Sequence, residues 1–218
     1  MEIKKPSIVY RHGSGLYVNL TNRCPTACAF CVKKPWAMNY HGNNLNLAGK
    51  EPSAAEVISL AAAAWAAEPF SELVFCGYGE PTMRLDVLLA AARLIREGKA
   101  APVPAGLRIR LNTNGLANAV WGRSVVPELK GLVDAVHVSL NSADPEQWAA
   151  LMRPMEPWAA DGFEKVKEFI GEAARTLPET FATVVEGNGV DLEKFKALAA
   201  ALGARPRVRG RLDDEEKQ

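Results

Sequence analysis

The sequence predicts an α/β fold, a laterally open (β/α)6 partial barrel, from three observations. Short apolar-alternating segments recur with helical patterns between them, six such segments are found, and two of them carry a distinctly polar face. The segments are residues 16–20 (LYVNL), 72–76 (ELVFC), 107–112 (LRIRLN), 135–141 (AVHVSLN), 181–185 (FATVV) and 205–209 (RPRVR). Strands alternating with helices specify βαβ units and a parallel sheet with right-handed crossovers. In the third segment Leu107, Ile109 and Leu111 oppose Arg108, Arg110 and Asn112; in the fourth Val136, Val138 and Leu140 oppose His137, Ser139 and Asn141. A parallel sheet covered by helices on both faces reads apolar on both, so a polar face implies a barrel interior that encloses polar ligands. Six strands are too few to close a parallel barrel, which leaves it open on one side.

The helices between these strands announce their ends. Ser53 with Glu56 has capping-box spacing before VISLAAAAWAA, and Asp161 with Glu164 repeats it before KVKEFIGEAA. Asp144-Pro145 is another start, with proline at the first helical position, and Gly98 and Gly203 stand where helix C-caps fall. The apolar run from Ile58 to Ala67, interrupted by Ser59 and ended by Glu68, reads as a buried helix. The connection over residues 21–52 is unlike the others, carrying three cysteines, Pro35 and the stretch NYHGNNLNLAG. A connection this long in a compact domain is expected to be functional or disordered. One domain over residues 1–212 is expected, with an acidic solvated tail, DDEEKQ, at 213–218.

Composition narrows the function classes. A chain of 218 residues that is 48% hydrophobic is long enough for one substantial core. The formal net charge of +1 gives no global electrostatic case for a nucleic-acid partner. No apolar run has signal-peptide or bilayer-spanning length, so a cytoplasmic protein without a membrane partner is expected. In that reducing compartment the four cysteines are ligands, reactive groups or small core residues rather than a disulfide framework.

Spacing singles out three of them. Cys24, Cys28 and Cys31 follow the first strand with three and then two residues between them. Thiolates this close in sequence can converge on one [4Fe–4S] cluster and leave its fourth iron without a protein ligand. Two other readings stand beside it. The same spacing places three small apolar residues on one helix face, and three cysteines with Cys76 can make a structural zinc site.

Further motifs sit at successive strand ends: Gly77-Tyr78-Gly79-Glu80-Pro81-Thr82, Asn112-Thr113-Asn114-Gly115 and Val138-Ser139-Leu140-Asn141. With the cysteine triplet these resemble the ordered motif set of the radical S-adenosylmethionine (radical SAM) superfamily, over nearly the whole chain. TNRC, the post-cluster loop, FCGYGEPTMRLDVLL, RLNTNG and VSLN more narrowly resemble the small subgroup associated with TatD-type metal-dependent hydrolases. The resemblance implies a partial barrel of the radical SAM type and an enzyme that reductively cleaves S-adenosylmethionine to methionine and a 5′-deoxyadenosyl radical, which abstracts hydrogen from a substrate not yet identified. It implies that Cys24, Cys28 and Cys31 ligate the cluster, that Phe30 packs near the adenine, and that Gly79 and Glu80 meet the methionine ammonium. Asn112, Ser139 and Asn141 become contacts for the ribose hydroxyls and methionine carboxylate, and a flavodoxin or ferredoxin the expected electron donor. Tyr78 departs from the pattern, standing between two glycines where many members have consecutive ones.

Other residues have plainer readings beside functional ones. Cys76 is a small core residue or a thiol near the cofactor, and His137 a structural histidine or a handler of a substrate proton. His41 is a candidate lid residue; no partner for it or His12 is visible in the sequence. Trp36, Trp65, Trp121, Trp148 and Trp158 are too scattered for a nucleic-acid stacking platform. Arg205, Arg207 and Arg209 alternate along the sixth strand. They either guard an exposed edge or face inward with Arg108 and Arg110, too few carboxylates being identifiable to pair them all. In the second case Arg207 and Arg209 bind an anionic substrate. Three alternatives remain open: a noncatalytic zinc or iron–sulfur binding protein, an activator of a partner protein and a nucleic-acid modifier.

Overall fold

The computed structural model describes residues 5–212, so the acidic tail expected at 213–218 lies outside the described residues. The chain divides into two compact units. One is formed by the chain up to Arg23 with Val32–Leu111, the other by Cys24–Cys31 with Asn112–Leu212.

In the first unit β1 (Val9–His12) runs antiparallel to β2 (Gly15–Val18), which pairs in parallel with β5 (Glu72–Phe75); β5 pairs in parallel with β6 (Arg108–Thr113). The register places Leu16, Leu73 and Ile109 in one row and Val18, Phe75 and Leu111 in another, each at most 1% exposed. These two rows are the sheet side of the core. The opposite face carries Tyr17, Val74 and Arg110 in register. The strand β1 was not expected, because VYRH is short and half charged and gives no clear alternation. Between β2 and β5 lie a two-stranded hairpin, β3 (Asn39–Tyr40) with β4 (Asn43–Asn44), and α1 (Ala54–Ala67). A single 3-10 turn over Pro81–Arg84 leads into α2 (Leu85–Arg96), which packs against α1.

The capping box at Ser53 and Glu56 forms as expected. The buried-helix expectation for Ile58–Ala67 is corrected: α1 buries only Val57, Ile58 and Ala61, and Leu60 is 37% exposed. An alanine-rich run is apolar all round, so its composition hides the narrow stripe it docks with.

In the second unit β7 (Ala135–Ser139), β8 (Glu179–Val185) and β9 (Arg205–Arg209) pair in parallel. With β2, β5 and β6 they are the six expected strands. Helices α3 (Ala117–Trp121), α4 (Val126–Leu129) and α5 (Pro145–Met152) pack on α6 (Gly162–Thr176), and α7 (Leu192–Ala201) packs on β8 and β9. Asp144 caps α5 through the Gln147 amide with Pro145 behind it, and Gly98 and Gly203 follow their helices at positive φ as expected. The second capping box does not form. Asp161 precedes α6 with φ −123° and ψ 6°, away from the extended geometry a side-chain cap needs, and Glu164 pairs with Lys167 instead.

The polar faces also resolve. Arg110 is 8% exposed, and its guanidinium donates to both carboxylate oxygens of Glu72 at 3.1 and 2.6 Å and to the Tyr17 hydroxyl at 3.0 Å. Glu72 also lies 3.7 Å from Arg108. The expectation that these arginines lack carboxylate partners is therefore corrected: the carboxylate comes from the start of the neighbouring strand, which a one-strand pattern does not show. β9 is an edge strand with Arg205 and Arg207 exposed and Arg209 half-buried. Among the described residues no helix is long and apolar enough to cross a membrane.

Removing the carboxylate strands a buried guanidinium. Glu72→Ala is expected to destabilise the protein by roughly 1.5–3 kcal/mol, the range for hydrogen bonds to a charged group, read as a lower urea midpoint at unchanged slope. Glu193→Ala, an exposed helix pair with Lys196, is expected to stay within about 0.5 kcal/mol of the parent.

Candidate functional site

The expected site residues fall into two sets, one in each unit. The first is built on the Thr21-Asn22-Arg23 turn that follows β2. Glu80 N donates to Arg23 O at 2.8 Å, and Gly79 presses against the same turn: a Cβ there would lie 2.2 Å from Thr21 O and 2.7 Å from Arg23 O. Only glycine permits that approach of two backbones. Glu80 is 3% exposed, and its Oε1 accepts from Thr82 N at 3.1 Å and from Thr82 Oγ1 at 2.8 Å, capping the 3-10 turn. The glycine-glutamate motif is thus held rigidly, its carboxylate oriented before any ligand arrives.

The turn itself is held by Glu51. Its carboxylate accepts from Thr21 Oγ1, from Arg23 Nε and Nη2 at 2.8 and 2.9 Å, and from Arg84 Nη1 at 3.0 Å. Partial burial opposes ionisation, but the bonds from Arg23 and Thr21, the Arg23 charge and the Arg84 bond outweigh it and hold this carboxyl at about 2. Asn22 completes the anchorage, its Nδ2 donating to Leu45 O and its Oδ1 accepting from Leu47 N at 2.9 and 2.8 Å. The long 32–52 connection is therefore packed and not a loose loop. Trp36, Tyr40, Leu45 and Leu47 are buried, and Tyr78 donates from its hydroxyl to Asn39 O at 2.7 Å. The departure from consecutive glycines at Tyr78 supplies that strut. His12, without a visible partner in the sequence, bonds through Nδ1 to the Tyr40 hydroxyl at 2.8 Å, and its ring lies 6.3 Å from that of His41. Cys76 is half-buried, which sets it apart from a core position.

The second set is the cysteine loop. Residues 24–31 are not helical, Cys24 and Cys28 are half-buried and Cys31 is exposed, so the single helix face of core cysteines is excluded. Backbone bonds clip the loop to the end of α5: Ala29 N to Leu151 O at 2.8 Å, Ala27 N to Arg153 O at 3.0 Å and Met155 N to Pro25 O at 2.9 Å. Thr26 Oγ1 lies 3.2 Å from Cys24 Sγ and 3.4 Å from Cys28 Sγ. Asn114 Nδ2 is directed at Cys24 Sγ from 3.8 Å, and Met152 Sδ is 3.9 Å from Cys28 Sγ. Burial pushes the Cys28 thiol up to about 11; the Thr26 hydroxyl opposes this, and Cys24 and Cys31 add to it.

This donor set fits a [4Fe–4S] cluster. Three thiols outside any disulfide, unfavourable as neighbouring anions, are stabilised when iron supplies positive charge, and the Asn114 amide already faces the Cys24 sulfur. Among the described residues no group of three or more His, Cys, Asp or Glu converges on a single-ion site. A cubane takes its thiolates on separate irons.

The other expected contacts of this unit are placed as follows. Phe30, Asn112 and Ser139 are half-buried. Asn141 is 1% exposed at φ 60°; its Oδ1 accepts from Val185 N and its Nδ2 donates to Met152 Sδ, both at 3.1 Å. Its amide thus already serves the fold at both ends. His137 is 7% exposed with its ring 4.7 Å from Phe181. Glu51, Thr26, Asn114 and Met152 were not singled out from the sequence. The cysteine triplet spans Thr26 and RLNTNG contains Asn114, but Glu51 and Met152 carry no such signal.

The family model defines the class of protein, a radical SAM enzyme. The chain belongs to the radical SAM superfamily, whose sequence model matches residues 18–202. Among solved structures it is similar to a radical SAM methyltransferase from Sphaerobacter thermophilus, with TM-score 0.55 and 14% identity, covering 93% of this chain and 68% of that one. It is also similar to SuiB from Streptococcus suis, with TM-score 0.60 and 14% identity, covering 88% of this chain and 38% of that one. At these identities the likeness is one of fold, and it is the mostly parallel α/β fold expected of the partial barrel. No curated protein matches the sequence. Superfamily members in general use a [4Fe–4S] cluster, S-adenosylmethionine and an electron donor.

The Glu51 clamp gives a pH signature. Its carboxyl is depressed in the folded protein, so its stabilisation is complete above its ordinary value near 4.5 and is lost as pH falls toward about 2. Glu51→Gln is expected to lower the thermal midpoint at pH 7, and the gap to the parent is expected to narrow steadily below pH 4.5. A gap independent of pH would remove the charge from this account.

Proposed function

We propose that Cys24, Cys28 and Cys31 hold a [4Fe–4S] cluster and that the chain binds S-adenosylmethionine through the glycine-glutamate motif at Gly79 and Glu80. When bound, such a cluster supplies the electron that cleaves S-adenosylmethionine to methionine and a 5′-deoxyadenosyl radical, the hydrogen abstractor of this chemistry. The observation that carries the reading is the cysteine loop: three thiols off any helix, clipped by backbone bonds to residues 151–155, with Thr26 and Asn114 directed at their sulfurs.

The residues have separable tasks. Gly79 brings backbone close, and Glu80, fixed by Thr82, offers a carboxylate to the methionine ammonium. Phe30 covers the adenine, while Asn112, Ser139 and Asn141 serve the ribose and methionine carboxylate. An electron donor of flavodoxin or ferredoxin type reduces the cluster. The motif set TNRC, GYGEPT, NTNG and VSLN supports placing the chain in the TatD-associated subgroup. An anionic substrate is retained as part of the proposal on Arg207 and Arg209 alone, since Arg110 is already neutralised by Glu72.

The deciding experiment is anaerobic reconstitution with iron and sulfide, reduction in the presence of S-adenosylmethionine, and product analysis. 5′-Deoxyadenosine is expected; its absence from a protein that carries a cluster would favour a noncatalytic iron–sulfur role. Replacing Cys24, Cys28 or Cys31 singly by Ala is expected to remove most cluster iron and all 5′-deoxyadenosine, while Cys76→Ala retains both. The opposite result, a cluster lost only in the Cys76 variant, would overturn the ligand assignment.

Glu80→Gln keeps an oxygen for the Thr82 cap but exchanges a charged acceptor for a neutral one. It is expected to keep the cluster and to lose roughly 1.5–3 kcal/mol of S-adenosylmethionine binding, about one to two decades in affinity. Calorimetry showing the parent's affinity would remove Glu80 from the cofactor site.

A further inference from the structure

The proposed ligand Cys24 has a neighbour whose orientation is fixed by something other than the cluster. Asn114 follows β6 in the turn that leads to α3, and Gly115 beside it has φ 83°, with a Cβ there lying 2.7 Å from Val138 Cγ1. That turn admits glycine and little else, so the backbone around Asn114 is settled by packing. The side chain is settled as well. Asn114 Oδ1 accepts from Leu116 N at 3.0 Å, which leaves the amide nitrogen on the other side, 3.8 Å from Cys24 Sγ. With Asn114 only 6% exposed, water does not compete effectively for that N–H.

We infer that Asn114 donates an N–H···S hydrogen bond to the cluster-bound Cys24 thiolate and thereby raises the reduction potential of the cluster. The inference rests on the proposal that Cys24 is a cluster ligand. One-electron reduction adds negative charge that the thiolate sulfurs share, and a donor aimed at such a sulfur stabilises the reduced form more than the oxidised one. Because the Leu116 amide holds the other end of the side chain, the donor is in place in both oxidation states and need not reorganise when the electron arrives. Asn114 acts through Cys24 and touches no reacting atom; it is a positioning and tuning residue.

The test measures the midpoint potential of the reconstituted full chain by redox titration followed by electron paramagnetic resonance, without S-adenosylmethionine or substrate. Asn114→Leu removes the donor without adding charge; Asn114→Asp keeps the acceptor for Leu116 N but replaces the donor by a carboxylate. Both are expected to bind the parent's complement of iron, to titrate at a more negative potential, and to raise the frequency of the iron–thiolate stretch in resonance Raman spectra. A parent potential in Asn114→Leu overturns the inference, even if Asn114→Asp shifts, because charge alone would then account for the shift. Should Asn114→Leu fail to take up iron, an unshifted potential or unchanged stretch in Asn114→Asp overturns it. Failure of the parent chain itself to assemble a cluster defeats the cofactor reading instead, which keeps the two failures distinct.

Discussion

The backbone contact between Gly79 and the Thr21–Arg23 turn constrains much of the first unit. Two chain segments 56 or more residues apart meet so closely that a Cβ would lie 2.2 Å from a carbonyl oxygen, and the adjoining Glu80 N to Arg23 O bond fixes their register. Everything attached to either segment inherits that geometry: the Glu80 carboxylate and its Thr82 cap on one side, and the Asn22 and Arg23 side chains with their Leu45, Leu47 and Glu51 partners on the other. The cost of gathering Thr21, Arg23 and Arg84 is offset by a single carboxylate, Glu51, which accepts from all three. A charge that fully used is one reason a turn rather than a regular element can carry the start of a site.

The cysteine loop solves a different problem. It holds no helix or strand of its own, yet the proposed ligands must be held in place before a cluster can form on them. Its backbone is fastened to the last turn of α5 and the residues just after it by bonds at Ala29, Ala27 and Pro25, so the thiols stand on a borrowed edge. Met152 belongs to both sides of this arrangement, its sulfur between the Asn141 amide and Cys28 Sγ. Asn141 at positive φ is tolerable because a short polar side chain bonds locally, here to Val185 N.

Polar faces inside an α/β chain are often read as ligand sites, and Arg110 shows why that needs the neighbouring strand. Its period-two position marks it as facing away from the apolar rows, which is correct, but Glu72 and Tyr17 satisfy it within the sheet. The buried pair and the Tyr17 ring, 5.7 Å from the guanidinium, make this face a structural network.

The six parallel strands, the capping box at Ser53, the Asp144-Pro145 start and the motif-bearing strand ends were legible because each is a local pattern: period two, cap chemistry, or a fixed spacing of cysteines. So was the superfamily, since its motifs are short and ordered along the chain. What the sequence could not determine by itself depends on partners far away in it. The carboxylate that serves Arg110 comes from β5, the strut for Tyr78 from the 32–52 connection, and the clamp on the Thr21–Arg23 turn from Glu51, which no motif marks. The same holds for Asn114: NTNG can be read from the chain, but that the Asn114 amide turns its nitrogen toward Cys24, 90 residues earlier, follows only from the Leu116 bond and the packing of Gly115. Local propensities select elements and their order; side-chain partners 30 and even 124 residues apart are set when those elements pack, and only tertiary structure decides them.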